Sequence, residues 1–520
     1  MRSPRMRSGP RVIEVRRQGK EDARCPLLPN GQPLMICITV TPESRTLGKV
    51  DILNAASKGD IVELCLDRLI KEPDIKDLLA VTRKPVIVSC RRKQDGGQWD
   101  GSEEERLLLL RQAIVAGPAY VELDLDIARK VPRFGKTQRV ISFTRLDRPE
   151  SDLDSIIEEA RAVQADVLKF TWPTPTIDDA WPLLKAVSAS TRGTLPIVGL
   201  GLGRGDLTFS LLSLKYGSPW LYAALENGME AYPGQPTVFE LEEIYHLREI
   251  NRSTAFIAVT GFGDSQPGIV RAFNTAFQSQ GVNARCLPLY PGDVGRLSKM
   301  LDALKIRAIL ASGGYAKHLM PLAEDIDPRD KDSGSVDLLL HKGSGWQGVN
   351  FLWKAGVQTL GDAVKNTGHG LGQRSILVLG NGGTAAAMAY GLAQFKGLVS
   401  ICGPNDKEAQ AAAGKLGCRF IPFQNLYDTL FDVVVIADPA LKVGTAHGNV
   451  NAALLRENQI VLDVSDPPRV HPLAEEARLR KCQMVDSSHL FRDRFAAQYR
   501  AIVGKELPED ALEKAIASAV

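Results

Sequence analysis

Apolar and polar positions along this chain follow a repeating order: a short apolar run, a turn, then a stretch with helical spacing. From Met35 onward the apolar runs are 35–41, 61–67, 85–90, 120–125, 139–144, 167–172, 196–201 and 220–225. Apolar strands that alternate with helical stretches predict parallel pairing, because each crossover helix covers a face of the sheet. Eight such runs predict closure into a (β/α)8 barrel over residues 35–250, with its site at the C-terminal ends of the strands. Glu63, Asp67, Arg91, Glu122, Asp124 and Lys169 fall within or just after these runs. A buried charge is costly unless it is paired or used, so each is either a structural ion pair or a site group.

Near Arg252 the rhythm restarts. Runs 255–260, 284–289, 308–312 and 335–340 read as strands, and 269–280, 294–304 and 351–364 as helices. A Gly-rich link at 366–372 reads as a hinge between a lobe at 253–364 and a second at 365–505. The run 375–379 then enters Gly380-Asn381-Gly382-Gly383-Thr384-Ala385, a strand, a turn and a helix start. Gly380 allows the tight turn, Gly382 lets backbone approach a pyrophosphate, and Ala385 permits close helix–strand packing. The helix N-terminus offers its unpaired N–H groups to phosphates. These six residues therefore predict a Rossmann-type dinucleotide site in a two-lobed α/β unit. The next strand ends at Cys402-Gly403-Pro404-Asn405-Asp406. It brings neither an acidic residue at its tip for the ribose hydroxyl of NAD nor an arginine for the phosphate of NADP, so the choice between NADP and NAD stays open.

Composition narrows the class without changing this picture. The chain has 520 residues, 44% apolar, with 64 basic and 61 acidic side chains and a net charge of +3. That near balance argues against direct nucleic-acid binding, which favours a strong basic stripe. The 8 cysteines show no C-x-x-C spacing, so neither a metal site nor a disulfide framework is signalled, and a reducing, cytoplasmic setting is expected. No apolar run approaches the length of a membrane span. Residues 1–34 carry eight lysines and arginines with little apolar periodicity and read as a basic disordered tail; a docking arm or nuclear-import signal is the other reading.

The order of parts resembles type I 3-dehydroquinate dehydratase fused to shikimate dehydrogenase. Glu63-Leu-Cys65-Leu-Asp67 is similar to that family's E-L-R-x-D strand, and Arg91 with Asp95-Gly96-Gly97 to its Arg…E-G-G segment. Tyr120-Val121-Glu122-Leu123-Asp124 resembles the strand with paired carboxylates, Ala165-Asp166-Val167-Leu168-Lys169 the Schiff-base lysine segment, and Pro233-Gly234-Gln235 the closing substrate loop. In the second half, Gly380 to Ala385 resembles G-x-G-G-x-[AS], and Asp463, Pro468 and Pro472-Leu473 resemble D-x-x-Y-x-P-x-x-T-P-L. The resemblance implies a cyclohexane carboxylate ligand. Lys169 and Asp124 would be catalytic in the barrel and Lys317 in the second half. Glu63, Arg91 and Gln235 would bind substrate. The lysine would attack a ketone to form an iminium, an electron sink that acidifies the neighbouring C–H.

The sequence also departs from that pattern. The family's histidine follows I-S-x-H, whereas here Ile141-Ser142-Phe143-Thr144 puts Thr144 in its place, and the first histidine of the chain is His246. Laid on residues 343–348, the N-T-D-W-x-G motif puts Gly345 at the aspartate. The tyrosine of D-x-x-Y is Asp466. Loss of one member of a coupled catalytic group costs orders of magnitude in rate. In this respect the chain resembles the quinate repressor branch: catalytically impaired paralogues that sense a pathway metabolite and regulate transcription by contact with an activator protein. That reading adds the nucleus to the expected locations. The alternative is a working bifunctional enzyme that dehydrates 3-dehydroquinate and reduces the product with NADP. A homodimer is left open.

Overall fold

The computed structural model describes residues 35–71, 73–190, 195–251, 253–343, 345–365, 370–446 and 448–520. The basic tail, Ser344, residues 366–369 of the expected hinge and His447 lie outside the described residues. The described chain divides into two compact units, 35–254 with 289–300, and 255–288 with 301–520.

In the first unit the strands are β1 (Met35–Val40), β2 (Ile61–Cys65), β3 (Val86–Ser89), β4 (Tyr120–Asp124), β5 (Gln138–Thr144), β6 (Val167–Pro173), β7 (Ile197–Leu202) and β8 (Trp220–Ala223). They pair in parallel in the order β7-β6-β5-β4-β3-β2-β1-β8. The barrel is near-closed: among the described residues no ladder joins β7 to β8, and the seam is bridged above by Gly203 N–H donating to the Pro233 carbonyl at 2.7 Å. A helix was expected after every strand. Between β4 and β5 there is instead a single 3-10 turn, Ala128–Lys130, because a 13-residue link containing Pro132 and Gly135 is too short for a helix and two turns. Alternate residues point inward. Ile61, Ile87, Val140, Val167, Val198 and Trp220 fill the lower barrel with a dry apolar layer, so polar side chains gather towards the strand C-termini.

The second unit contains two sheets. The first is mixed, with β9 (Ala255–Thr260), β10 (Ala284–Pro288), β11 (Ile306–Ala311), β12 (Asp325–Ile326), β13 (Leu338–Lys342) and β14 (Gly345–Val349), in the order β10-β9-β11-β13-β14-β12. The strand expected at 335–340 begins later, at Leu338, and runs antiparallel to β11. Asp337 keeps backbone bonds to Val349 and Ala311, both at 3.0 Å, while its carboxylate accepts from the Phe351 and Leu352 N–H groups, both at 2.9 Å, and so caps the helix Leu352–Val364. The hairpin strand β14 escaped sequence reading because Gly345 and Gly348 dilute its apolar signal.

The second sheet has β15 (Ser375–Leu379), β16 (Leu398–Cys402), β17 (Arg419–Phe420), β18 (Val433–Ile436), β19 (Ile460–Asp463) and β20 (Gln483–Met484). All pair in parallel in the order β17-β16-β15-β18-β19-β20. This is the doubly wound order of a dinucleotide-binding fold, with the switch of direction between β15 and β18. Buried aliphatic clusters on both faces hold it, one centred on Ile376, Val378 and Met388 and the other on Leu377, Leu379 and Leu462's neighbour Val461. The glycine turn follows β15 directly, so it lies at the switch point.

Candidate functional site

Lys169 stands in the middle of β6, level with Ser142 of β5 and Val198 of β7. Its ammonium donates to Glu122 Oε2 at 2.8 Å and to Glu63 Oε1 at 3.5 Å, and it lies 4.5 Å from the centre of the Tyr222 ring. All three ion-pair partners are buried: Lys169 is 2% exposed, Glu63 1% and Glu122 6%. Thr39 of β1 donates from its hydroxyl to Glu63 Oε2 at 2.9 Å and accepts from Gln235 Nε2 at 3.1 Å. Gln235 Oε1 in turn accepts from the Ala231 N–H at 2.8 Å, which folds the 231–236 segment over the mouth. Gln235 is thereby joined to Lys169 through Thr39 and Glu63.

This environment separates the two carboxylates. Burial pushes Glu122 up, and the nearby Glu63 charge adds to the effect although Lys169 opposes it. Burial works against Glu63 too, but Lys169, Arg91 and the Thr39 hydroxyl hold it below the usual range. Burial alone would lower Lys169, yet Glu122 and Glu63 together raise it, so the resting amine is an ammonium.

Arg91 lies just past β3, buried, with Nη2 at 3.5 Å from Cys65 Sγ. Its N–H donates to Asp67 Oδ1 at 3.3 Å, and Asp67 Oδ2 accepts from the Gln98 N–H at 2.9 Å, so Asp67 pins a loop. Asp124, read from the sequence as catalytic, is placed differently. The ladder sets it level with Ser142, but its carboxylate lies 2.8 Å from Arg106 Nη1 and 3.8 Å from Arg92 Nη2. Arg106 is itself held by Glu103 at 2.8 Å and by the Cys90 carbonyl at 2.7 Å. Glu122, one inward step below, takes the lysine instead. Thr144 ends β5 level with Thr171 and is half-buried.

Several buried polar atoms of the barrel have no hydrogen-bond partner among the described residues, among them the hydroxyls of Tyr222, Tyr232 and Ser142, Arg91 Nε, and Asp124 Oδ2, the last being held by the charge of Arg106 and Arg92. Buried polar groups are ordinarily satisfied, so such a set suits a ligand rich in oxygen atoms, or ordered water. Thr39, Tyr222, Tyr232 and Arg106 were missed in the sequence. Thr39 was findable as the polar residue at an inward position of an otherwise apolar strand, whereas the tyrosines read as ordinary core.

In the second unit the glycine turn has the geometry its sequence implies. Gly380 has φ +142°, and a Cβ there would meet Asp438 Cβ at 2.9 Å. A Cβ on Gly382 would meet nothing, leaving room for a ligand at the N-terminus of the helix Gly383–Gln394, which has no side-chain cap. Thr384 and Ala385 form its first turn, and Ala385 is buried against the sheet. A cleft of about 220 Å³ there is lined by, among others, Lys317, Asn381, Gly382, Gly383, Glu408 and Lys415. Asn381 Oδ1 is buried without a hydrogen-bond partner among the described residues. Lys317 and the turn are thus brought together.

Gly345 is not. It opens β14 opposite Lys342, where a Cβ would meet the Glu324 carboxylate at 2.1 Å. The far end of the hairpin reaches the cleft: Asn350 Nδ2 donates to the Ser335 carbonyl at 2.9 Å, and Ser335 Oγ donates to the Gly383 carbonyl at 3.0 Å. Asn350 thus stands nearer the glycine turn than Gly345 does, and Leu352, two residues on, is buried in the apolar core beside the sheet. Asp466 joins the two lobes of this unit. Its carboxylate pairs with Arg494 and accepts from Ser312 Oγ at 3.3 Å, and its carbonyl accepts from Ser265 Oγ at 2.7 Å.

Residues 36–252 match the family model of type I 3-dehydroquinase. The bifunctional 3-dehydroquinate dehydratase/shikimate dehydrogenase of Arabidopsis thaliana is 23% identical over 552 aligned positions, covering 98% of this chain and 91% of that one. A 3-dehydroquinate dehydratase of Dehalococcoides mccartyi is 30% identical over 229 positions, which is 42% of this chain and 96% of the relative. Among solved structures, the dehydroquinate dehydratase and shikimate dehydrogenase from S. pombe aligns over 95% of this chain and 99% of its own at 18% identity and a TM-score of 0.38. A shikimate dehydrogenase in complex with NADP+ aligns over 52% and 96% at 20% identity and a TM-score of 0.45. Through its barrel the chain belongs to the type I 3-dehydroquinase family, and it joins that domain to a shikimate dehydrogenase-like second half in the order of the bifunctional plant protein.

Proposed function

We propose that the chain is a bifunctional protein of the shikimate pathway whose barrel takes 3-dehydroquinate, or a closely similar keto cyclohexane carboxylate, onto Lys169 and eliminates water from it. The observation that carries this reading is the buried lysine held between Glu122 and Glu63 at 2.8 and 3.5 Å, with Tyr222 beside it and Ser142 level with it, both hydroxyls unpartnered among the described residues. Arg91 supplies the fixed positive charge a substrate carboxylate needs, and Gln235 closes over it. The iminium withdraws electrons from the adjacent carbon, so its proton becomes acidic and the neighbouring hydroxyl can leave.

The glycine turn, the uncapped helix N-terminus and the flanking Lys317 and Lys415 fit a dinucleotide pyrophosphate, and the NADP or NAD bound there would supply the hydride. This chain's own part is to orient the cofactor and, through Lys317, to hold the substrate hydroxyl. Among the described residues no carboxylate is ion-paired with Lys317 to share that proton, so reduction is expected to be slow.

A second reading is favoured by one observation. The first histidine is His246, which follows the last barrel strand, so none of the eight strands or the loops between them brings an imidazole to move protons. On this reading the protein is a sensor of the quinate-repressor kind that binds the metabolite and contacts a transcriptional activator. Borohydride reduction in the presence of 3-dehydroquinate, followed by peptide mass analysis, tests the first reading: an adduct on Lys169 together with growth of conjugated-enone absorbance is expected. An adduct without turnover would leave the sensor; no adduct would sink the imine chemistry. Nicotinamide absorbance with shikimate or quinate tests the second half.

A further inference from the structure

We propose that Glu122 is the proton-transfer residue of the barrel, taking the proton that Lys169 must lose and returning it to the departing oxygen. This rests on the Schiff-base reading above and gives that site its missing acid and base. Lys169 rests as an ammonium, which cannot attack a carbonyl, so a base within hydrogen-bond reach is required. Glu122 Oε2 is that group by geometry, at 2.8 Å, while Glu63 stands at 3.5 Å and is already engaged by Thr39 and drawn towards Arg91. The other candidates are disqualified. Asp124 is committed to Arg106 and Arg92. Burial keeps the Tyr222 phenol neutral, and Thr144 offers a hydroxyl with no affinity for a proton near neutrality. Two carboxylates pushed apart by their surroundings, one upward and one downward, divide the roles: Glu63 stays the anionic counter-ion and Glu122 exchanges protons.

The steps balance with Glu122 alone. Its carboxylate takes a proton from the ammonium, and the freed amine attacks the ketone carbon. The carbonyl π pair moves to oxygen, which receives that proton from Glu122. Glu122 then takes the second nitrogen proton and delivers it to the hydroxyl of the carbinolamine; water leaves and the iminium forms. The carboxylate next removes a proton from the carbon beside the iminium, giving an enamine. The enamine pair expels the hydroxyl one carbon further on, with the same proton, as a second water. Addition of water across the iminium releases the unsaturated ketone and restores the ammonium. No oxidant or reductant enters.

The test is the rate of borohydride trapping of 3-dehydroquinate on the full chain across pH, for the unaltered protein, Glu122→Gln and Glu63→Gln. Glu122→Gln should slow trapping at least tenfold at neutral pH, with rate recovering as pH rises and the lysine loses its proton unaided. Glu63→Gln should weaken ligand binding more than it slows trapping. Glu122→Ala opens space for a small acid, and added formate should restore part of its rate; this readout separates proton transfer from folding. Trapping by Glu122→Gln at the unaltered rate and with the unaltered pH profile overturns the role of Glu122 alone. Absence of any adduct on the unaltered protein overturns the Schiff-base reading and the role of Glu122 with it.

Discussion

Asp124 and Glu122 differ by two positions in one strand, and their fates differ because of one arginine. Arg106 is 1% exposed and has its guanidinium shared between Asp124, Glu103 and the Cys90 carbonyl. Removing a charge from such a set leaves its partner buried and uncompensated, at about 3–5 kcal/mol. Arg106→Met should therefore lower the unfolding free energy of the barrel by that order, read as a lower denaturant midpoint at unchanged slope, while Asp124→Asn should leave borohydride trapping on Lys169 within a few-fold. A complete loss of trapping in Asp124→Asn would restore Asp124 to the catalytic set.

Asp337 gives a pH dependence of known sign. Burial pushes its carboxyl up to about 6 from 3.8, against the pull of Arg494 and of the two N–H groups it accepts. A group raised in the folded state contributes stability that is whole below its unfolded value and is lost as pH rises through its folded value. Between about pH 4 and pH 7 the second unit should thus lose on the order of 2–3 kcal/mol through this residue, at about 1.4 kcal/mol for each pH interval. Asp337→Asn should flatten that part of the stability curve; an identical slope in the variant would refute the assignment.

At the scale of elements, two short features hold the site. The first turn of the helix Glu103–Ala116 carries a capping box, with Ser102 and Glu105 bonded to each other's backbone, and this fixes where Arg106 emerges. Ser102→Ala should cost about 1 kcal/mol. The closing segment depends on Gly234, whose φ is +84° and where a Cβ would meet the Gly203 carbonyl at 2.1 Å. Gly234→Ala must displace the segment that carries Gln235. Ligand affinity should fall about tenfold or more, the size of one lost or misplaced polar contact, with a smaller effect on unfolding of the barrel. Calorimetric binding of 3-dehydroquinate to the variant checks this.

At the scale of the molecule, each unit has its own core and its own pocket. Ligand binding stabilises the unit that holds it by mass action, about 2.7 kcal/mol at a hundred times Kd. 3-Dehydroquinate should accordingly raise one thermal transition of the intact chain and NADP or NAD the other. A single transition that responds equally to both would show that the units unfold together. Among the described residues no helix is long and apolar enough to cross a membrane.

The alternation of apolar runs determined the eight barrel strands, the glycine turn and the presence of Lys169 in a strand, because strand periodicity and turn stereochemistry are local properties of the chain. What local pattern could not decide was which charges meet. Glu122 and Lys169 are 47 positions apart, and Glu63 and Lys169 are 106. Their pairing is set by ladder register and barrel closure, which no window of sequence contains. For the same reason the sequence, by its resemblance, put Asp124 in the catalytic set and Gly345 at the aspartate. The tertiary structure sets Asp124 beside Arg106 and Gly345 beside Glu324, because a buried carboxylate goes to the nearest charge that folding brings to it.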